Sequence, residues 1–126
     1  DKLISLFHNF DVLVYPTFSE GFGLIPLQAL ATGMPSIQTS TWAPYNRFVI
    51  PELNVGDRLI DSPWPNEHPG KVLEPNFDDL VNAYRYAYDN FAEVSDTAYY
   101  QADQVHEEYD WDYLVEKQFM PIVSSL

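Results

Sequence analysis

An open α/β domain with a helical C-terminal end is the fold class that this sequence predicts. Three observations predict it. A short apolar run, Val12 to Tyr15, reads as a buried parallel strand. A turn with two glycines follows it and leads into a helical pattern that stops at Gly33-Met34-Pro35. Beyond these, helix and strand alternate through the first half and helices collect at the end, as in a parallel sheet flanked by helices.

Leu3, Leu6, Phe7 and Phe10 recur at helical spacing, so residues 2–10 read as a short amphipathic helix. Pro16 ends the strand 12–15, and residues 17–23 form a loop. A helix is expected over 24–32, with Pro26 tolerated in its first turn, Gly33 as its cap and Pro35 as its stop. Residues 36–40 read as a second short strand. Residues 41–70 contain five of the ten prolines (44, 51, 63, 65 and 69), together with Trp42 and Trp64. They read as a long irregular connection holding a small strand at 58–60; connections this long are functional or disordered. The tryptophans favour an ordered loop packed on something. A brief strand and turn at 70–75 precede a helix to about residue 93, capped by Asn76 or Asp78. Leu80, Ala83, Tyr84, Ala87, Tyr88 and Phe91 give it an apolar stripe. Asp96 is read as the cap of the next helix, to roughly Tyr109, and a last helix spans about 111–119, interrupted at Pro121.

Composition narrows the function classes. Length suits a single unit, 1–126, with a modest core, and 46% hydrophobic and 16% aromatic content is that of a globular chain. The formal net charge of −13 argues against a non-specific binder of nucleic acid or anionic membranes. Twelve acidic residues and one basic residue, Arg85, lie between Glu74 and Glu116, which reads as a solvated helical face. With no cysteine there are no disulfides, cysteine metal sites or cysteine nucleophiles, and the composition fits a reducing, cytoplasmic setting. No apolar run approaches the roughly 20 residues of a membrane span. No signal peptide is visible, and a start at Asp1-Lys2 without an initiator Met reads as a start within a longer protein.

The stretch Glu20-Gly21-Phe22-Gly23-Leu24-Ile25-Pro26-Leu27-Gln28 concentrates the chemistry. In open α/β sheets ligands bind at the carboxyl ends of the strands, where residues 17–23 fall. The amides of Gly21, Phe22, Gly23 and Leu24, with the positive end of the following helix, suit a phosphate or diphosphate. Glu20 suits neighbouring sugar hydroxyls, and the Gln28 amide suits a hydroxyl further along the same ligand, such as a ribose. Read from the residues alone, a structural turn with a dipole-compensating carboxylate accounts for the pattern equally well.

Residues 15–37 resemble the donor-site signature of retaining glycosyltransferases with the GT-B fold, the "glycosyl transferases group 1" family. The resemblance lies in Pro16, Glu20 through Leu24, Ala29, Ala31, Gly33 and Pro35. Weaker likeness covers Gly70-Lys71-Val72-Leu73-Glu74-Pro75-Asn76, Asp79-Leu80 and Tyr109-Asp110-Trp111. The resemblance implies a partial Rossmann-like domain, the C-terminal donor half of such an enzyme. Residues 111–126 would then cross over to an absent N-terminal domain. It implies Glu20 as the catalytic residue that bonds donor-sugar hydroxyls. It implies Gly21, Phe22, Gly23 and Leu24 at the sugar and diphosphate, and position 28 at the ribose. Gln28 stands where the family has a second Glu, Thr17 replaces a common Ser in the donor-binding loop, and residues 38–69 depart from the pattern. The implied substrates are a UDP- or GDP-linked sugar and a sugar or glycan acceptor, with retention and no metal or other cofactor. The family's cations for the diphosphate lie upstream, and none of the six Lys and Arg residues here falls in the motif. The fragment alone is therefore expected to be inactive.

Other features read more plainly. His8, His68 and His106 lack metal-ligand spacing, and Asp78-Asp79 and Glu107-Glu108 read as surface charge. Tyr84, Tyr86 and Tyr88 read as core packing with an amphipathic edge. Trp42 and Trp64 read as anchors of the long loop ahead of sugar-stacking rings. A non-catalytic α/β interaction module that has lost activity is the alternative function, supported by Gln28 and the altered loop. A GT-B epimerase or phosphorylase matches the motif less well.

Overall fold

The computed structural model describes residues 2–56 and 58–126. Its first half comprises α1 (Lys2–Phe7), β1 (Leu13–Tyr15), α2 (Leu24–Ala31), β2 (Ser36–Gln38) and two 3-10 turns, Asn46–Phe48 and Pro51–Leu53. Next come β3 (Arg58–Asp61), β4 (Lys71–Glu74), α3 (Phe77–Asp89) and α4 (Phe91–Tyr109). The chain ends with α5 (Trp111–Leu114), a π turn (Val115–Phe119) and α6 (Met120–Ser124).

The β1–α2–β2 unit forms as the apolar runs and glycines require. β1 and β2 pair in parallel, with Val14 opposite Ile37. α2 ends in a Schellman cap: the Gly33 amide donates to Leu30 O and the Met34 amide to Ala29 O, each at 3.0 Å. That cap needs Gly33 at φ +76°. Met34 and Ala29 then pack together with Phe7. Beyond Gln38 the chain bridges in parallel to Asn54, and the Val55 amide donates to Gln38 O at 2.9 Å.

Expectation and structure part at several elements. The expected single parallel sheet is instead two separate two-stranded sheets, β1–β2 parallel and β3–β4 antiparallel, with Leu59 opposite Leu73. The connection 62–70 is shorter than the dozen or so residues that a parallel crossover needs. The helix expected over 2–10 ends at Phe7, and Leu3, Leu6 and Phe10 stay exposed. The break after α3 comes at Asn90, ahead of both residue 93 and Asp96. The Asn90 side chain and amide both donate to Tyr86 O, at 3.0 and 2.9 Å, so asparagine competes with the helix for its own carbonyl. Asp96 therefore falls inside α4. Pro121 does not interrupt the last helix. It sits in the first turn of α6, where a missing N–H costs least, just after the wider π turn.

The expected cap at Asn76 forms, and Asp110 caps the helix that follows it. Asn76 Oδ1 accepts from the amides of Asp78 and Asp79 at 2.9 and 3.1 Å, and Asp110 Oδ1 accepts from the Tyr113 amide at 3.0 Å. The acidic residues of 74–116 are exposed or half-buried, as a solvated face requires.

Two apolar clusters carry the core. Ile37, Leu53, Val55, Ala83, Ala87 and Val94 join the parallel sheet to α3 and α4. Leu27, Leu30, Tyr45, Phe48, Val49 and Val105 join α2 to α4 through the 41–50 segment. The long connection is thus a structural part of both clusters. The tyrosines of α3 are less buried than the stripe suggests: Ala83 and Ala87 face the core, whereas Tyr84 and Tyr88 are exposed and Tyr86 is half-buried. The difference follows from helix geometry, since successive residues point about 100° apart and the alanines hold the core face. Residues 111–126 expose Trp111, Phe119, Ile122 and Leu126. Among the described residues no helix is long and apolar enough to cross a membrane.

Leu53 tests the loop's structural role, because it lies in the connection and has no exposed surface. Leu53→Ala should lower unfolding free energy by ~2–5 kcal/mol in urea titrations. A loop merely laid on the surface would give less than about 0.5 kcal/mol.

Candidate functional site

Pro16 ends β1 and turns the chain into a loop that is tied down on two sides. The Thr39 hydroxyl donates to Thr17 O, which fixes the loop to the end of β2. The Leu73 amide donates to Phe18 O at 2.9 Å, which fixes it to β4. Glu20 follows two residues after the second of these ties, half-buried, and its Oε1 accepts from the Tyr15 hydroxyl at 2.8 Å. That bond, with partial burial and the nearby carboxylate charge, raises the Tyr15 pKa above its usual value. Tyr15 therefore remains a neutral donor that orients the carboxylate. Oε2 makes no protein hydrogen bond among the described residues.

Gly23 caps α2 in the left-handed conformation, φ +79° and ψ 55°, without a side-chain cap bond. Its carbonyl accepts from the Tyr45 hydroxyl at 2.7 Å. A Cβ at Gly23 would lie 2.1 Å from that hydroxyl and 3.0 Å from Trp42 Cη2, so only glycine fits. Phe22 packs its ring against Tyr45 and Tyr109, at 5.9 and 6.2 Å between centroids. The amides of Gly21, Phe22, Gly23 and Leu24 have no partner among the described residues. They stand at the positive end of α2, as an anion-binding turn requires.

A cavity of about 590 Å³ opens beside the carboxylate, lined by Glu20, Gly21, Trp64, Glu67, His68 and Lys71 among others. A smaller one of about 260 Å³ shares Glu20 and Lys71 and adds Trp42 and Leu59. Together they are of the size that holds small ligands. Lys71 is paired with Asp61 at 3.0 Å.

The sequence-predicted site residues are only partly brought together. Glu20 and Gly21 share the larger cavity. Thr17 stands beside them in the loop, with a buried Oγ1 that has no hydrogen-bond partner among the described residues. Phe22 serves packing, Gly23 is buried, and Leu24 opens the helix with an exposed side chain. Gln28 lines a separate cavity of about 530 Å³ with Phe7, His8, Thr32, Tyr99 and His106. His106 Nε2 lies 2.8 Å from Ala31 O, a satisfied histidine. Sequence reasoning missed His68 and Lys71, which come to Glu20 only because the β3–β4 hairpin docks on the 16–23 loop. Trp42 anchors the loop as expected, whereas Trp64 is half-exposed and walls the Glu20 cavity. The signal for Trp64 was the Pro63-Trp64-Pro65 run, an aromatic held by two rigid neighbours.

Over 79 residues, 63% of this chain, the sequence is 49% identical to a D-inositol 3-phosphate glycosyltransferase of Paenarthrobacter aurescens (strain TC1). The chain spans 18% of that protein's length. No family model matches the chain, and no solved structure matches it. The likeness relates this chain to a glycosyltransferase.

The Tyr45 bond to Gly23 is testable by pH. Burial raises the Tyr45 pKa far above the ordinary tyrosine value, with the Glu20 charge adding to it. A raised phenol pKa gives stability that is complete below the unfolded value of about 10 and is lost as pH rises beyond it. Tyr45→Phe should cost ~0.5–1.5 kcal/mol at neutral pH. It should also flatten the alkaline fall in stability above about pH 10, measured by urea unfolding across pH. An unchanged alkaline slope would contradict the role given to Tyr45.

Proposed function

We propose that this chain is the donor-binding part of a retaining glycosyltransferase, moving a sugar from a nucleotide-diphosphate sugar to an acceptor hydroxyl. The observation that carries the reading is the half-buried Glu20, oriented by Tyr15, with one oxygen and the nearby amides at the start of α2 unpartnered among the described residues. The likeness to a glycosyltransferase over 79 residues supports it.

In this reading each part has a defined task. Glu20 accepts hydroxyls of the donor sugar and fixes the ring over the turn. The amides of Gly21 to Leu24 and the α2 dipole meet the diphosphate and stabilise the charge that grows on it as the glycosidic bond breaks. Such groups are aimed before the reaction and need no reorganisation during it. No metal is required. Thr17 completes the loop, and Gln28 takes the ribose of a UDP- or GDP-linked donor. The acceptor, a sugar or glycan, and further cations come from an N-terminal domain, onto which the exposed apolar residues of 111–126 dock.

A second reading has one observation in its favour. Gln28 lines a different cavity from Glu20, and it lacks the charge of the residue it replaces. A non-catalytic interaction module follows if one ligand does not reach both.

Product analysis of the full-length protein with a panel of UDP- and GDP-sugars separates the two. The transferase reading expects turnover with at least one donor. Glu20→Ala should then lower kcat/KM roughly 10- to 150-fold, the effect of losing a charge-assisted hydrogen bond. Transfer that survives Glu20→Ala unchanged removes Glu20 from the site, and absence of transfer across the panel favours the non-catalytic module.

A further inference from the structure

We infer that Trp64 is the stacking platform for the sugar ring at the Glu20 cavity, and that the connection 62–70 selects a neutral pyranose. The inference rests on the donor-site reading and names the sugar class that the site takes.

Trp64 is 48% exposed and lines the cavity that Glu20 also lines, so its indole face is open to a ligand there. It is also held rigidly. Its amide donates to Ser62 Oγ at 3.1 Å, and its carbonyl accepts from the amides of Glu67 and His68 at 3.2 and 2.8 Å. Pro63 and Pro65 fix the backbone on either side. The ring of Phe18 meets it at 85°, with centroids 5.5 Å apart. A large apolar surface pinned in the same cavity as a carboxylate oxygen that has no partner among the described residues matches a pyranose, which has an apolar C–H face and a rim of hydroxyls.

The charge of the lining favours one class. Glu20 and Glu67 both line the cavity, with His68 and Lys71 beside them, and Lys71 also pairs with Asp61 in a solvent-exposed bridge. A sugar with a carboxylate or phosphate substituent meets two carboxylates, and the exposed ammonium is shared with a third. A neutral ring meets two acceptors for its hydroxyls.

The test is calorimetric titration of the full-length protein with UDP, GDP, UDP-glucose, GDP-mannose and UDP-glucuronate. The expected result is that a neutral sugar nucleotide binds more tightly than its bare nucleotide. Trp64→Ala and Trp64→Leu should remove roughly tenfold of that gain, about 1.4 kcal/mol, while UDP and GDP binding stay unchanged. Trp64→Phe should keep most of it, and UDP-glucuronate should gain nothing over UDP. Wild-type affinity for the neutral sugars in both the Ala and Leu variants overturns the inference, as does preference for the glucuronate, and both leave the donor-site reading standing. Failure of every nucleotide and nucleotide sugar to bind overturns the donor-site reading and this inference with it.

Discussion

The Tyr45 hydroxyl, buried to 0% exposure, donates to the carbonyl of a glycine held in the left-handed conformation, and the candidate site hangs on that bond. It joins the 41–50 segment to the first residue of the α2 turn. Among the described residues only apolar contacts stand beside it, the Phe22–Tyr45 ring pair and the packing of Leu27 and Leu30 on Tyr45, Phe48 and Val49, so it is the polar bond that sets the direction of the Gly23 carbonyl. With it, Gly23 turns the chain sharply and Phe22 is drawn against Tyr45 and Tyr109. The amides before Leu24 are left without partners among the described residues. A buried phenol demands a partner, so the packing of the first core cluster and the shape of the turn are one constraint.

The long connection 41–70 then does two jobs. Its first part, through Tyr45, Phe48, Leu53 and Val55, fills both core clusters. Its second part supplies β3 and the turn of the β3–β4 hairpin, which carries Trp64 and His68, with Lys71 of β4, to Glu20. The Leu73 to Phe18 hydrogen bond couples the two, because the hairpin cannot shift without moving the loop that holds Glu20. Residues 38–69 are also those without the sequence resemblance, so Trp64, Glu67 and His68 of the cavity wall are not given by it.

How much of this was legible in the sequence depends on the range of the interaction. The Gly33 and Asn76 caps were readable because each rests on residues within a few positions of one another, and the β1–α2–β2 unit because each of its elements carries its own local pattern and a short strand–helix–strand run dictates the parallel pairing. The small strand near 58–60 was readable from local pattern, and its antiparallel pairing with β4 was not. The break at Asn90 was hidden because asparagine is tolerated in helices, and only its bonds to Tyr86 O mark the end. Pro121 misled because the π turn that admits it leaves no compositional trace. In the site, Glu20 and the glycine turn stood out. Lys71 and His68 did not, since fifty residues separate them from Glu20 and only the hairpin's docking unites them. Gln28 shows the converse: eight positions along the chain suggested one ligand, yet it lines another cavity.

The most direct measurement is a crystal structure of the full-length protein with a UDP- or GDP-sugar bound. The account predicts a donor-sugar hydroxyl within hydrogen-bond reach of the Glu20 carboxylate, at ~2.6–3.2 Å. It also predicts diphosphate oxygens on the amides of the Gly21–Leu24 turn. A nucleotide sugar bound with its ring away from Glu20, and with that carboxylate still held only by Tyr15, would contradict it.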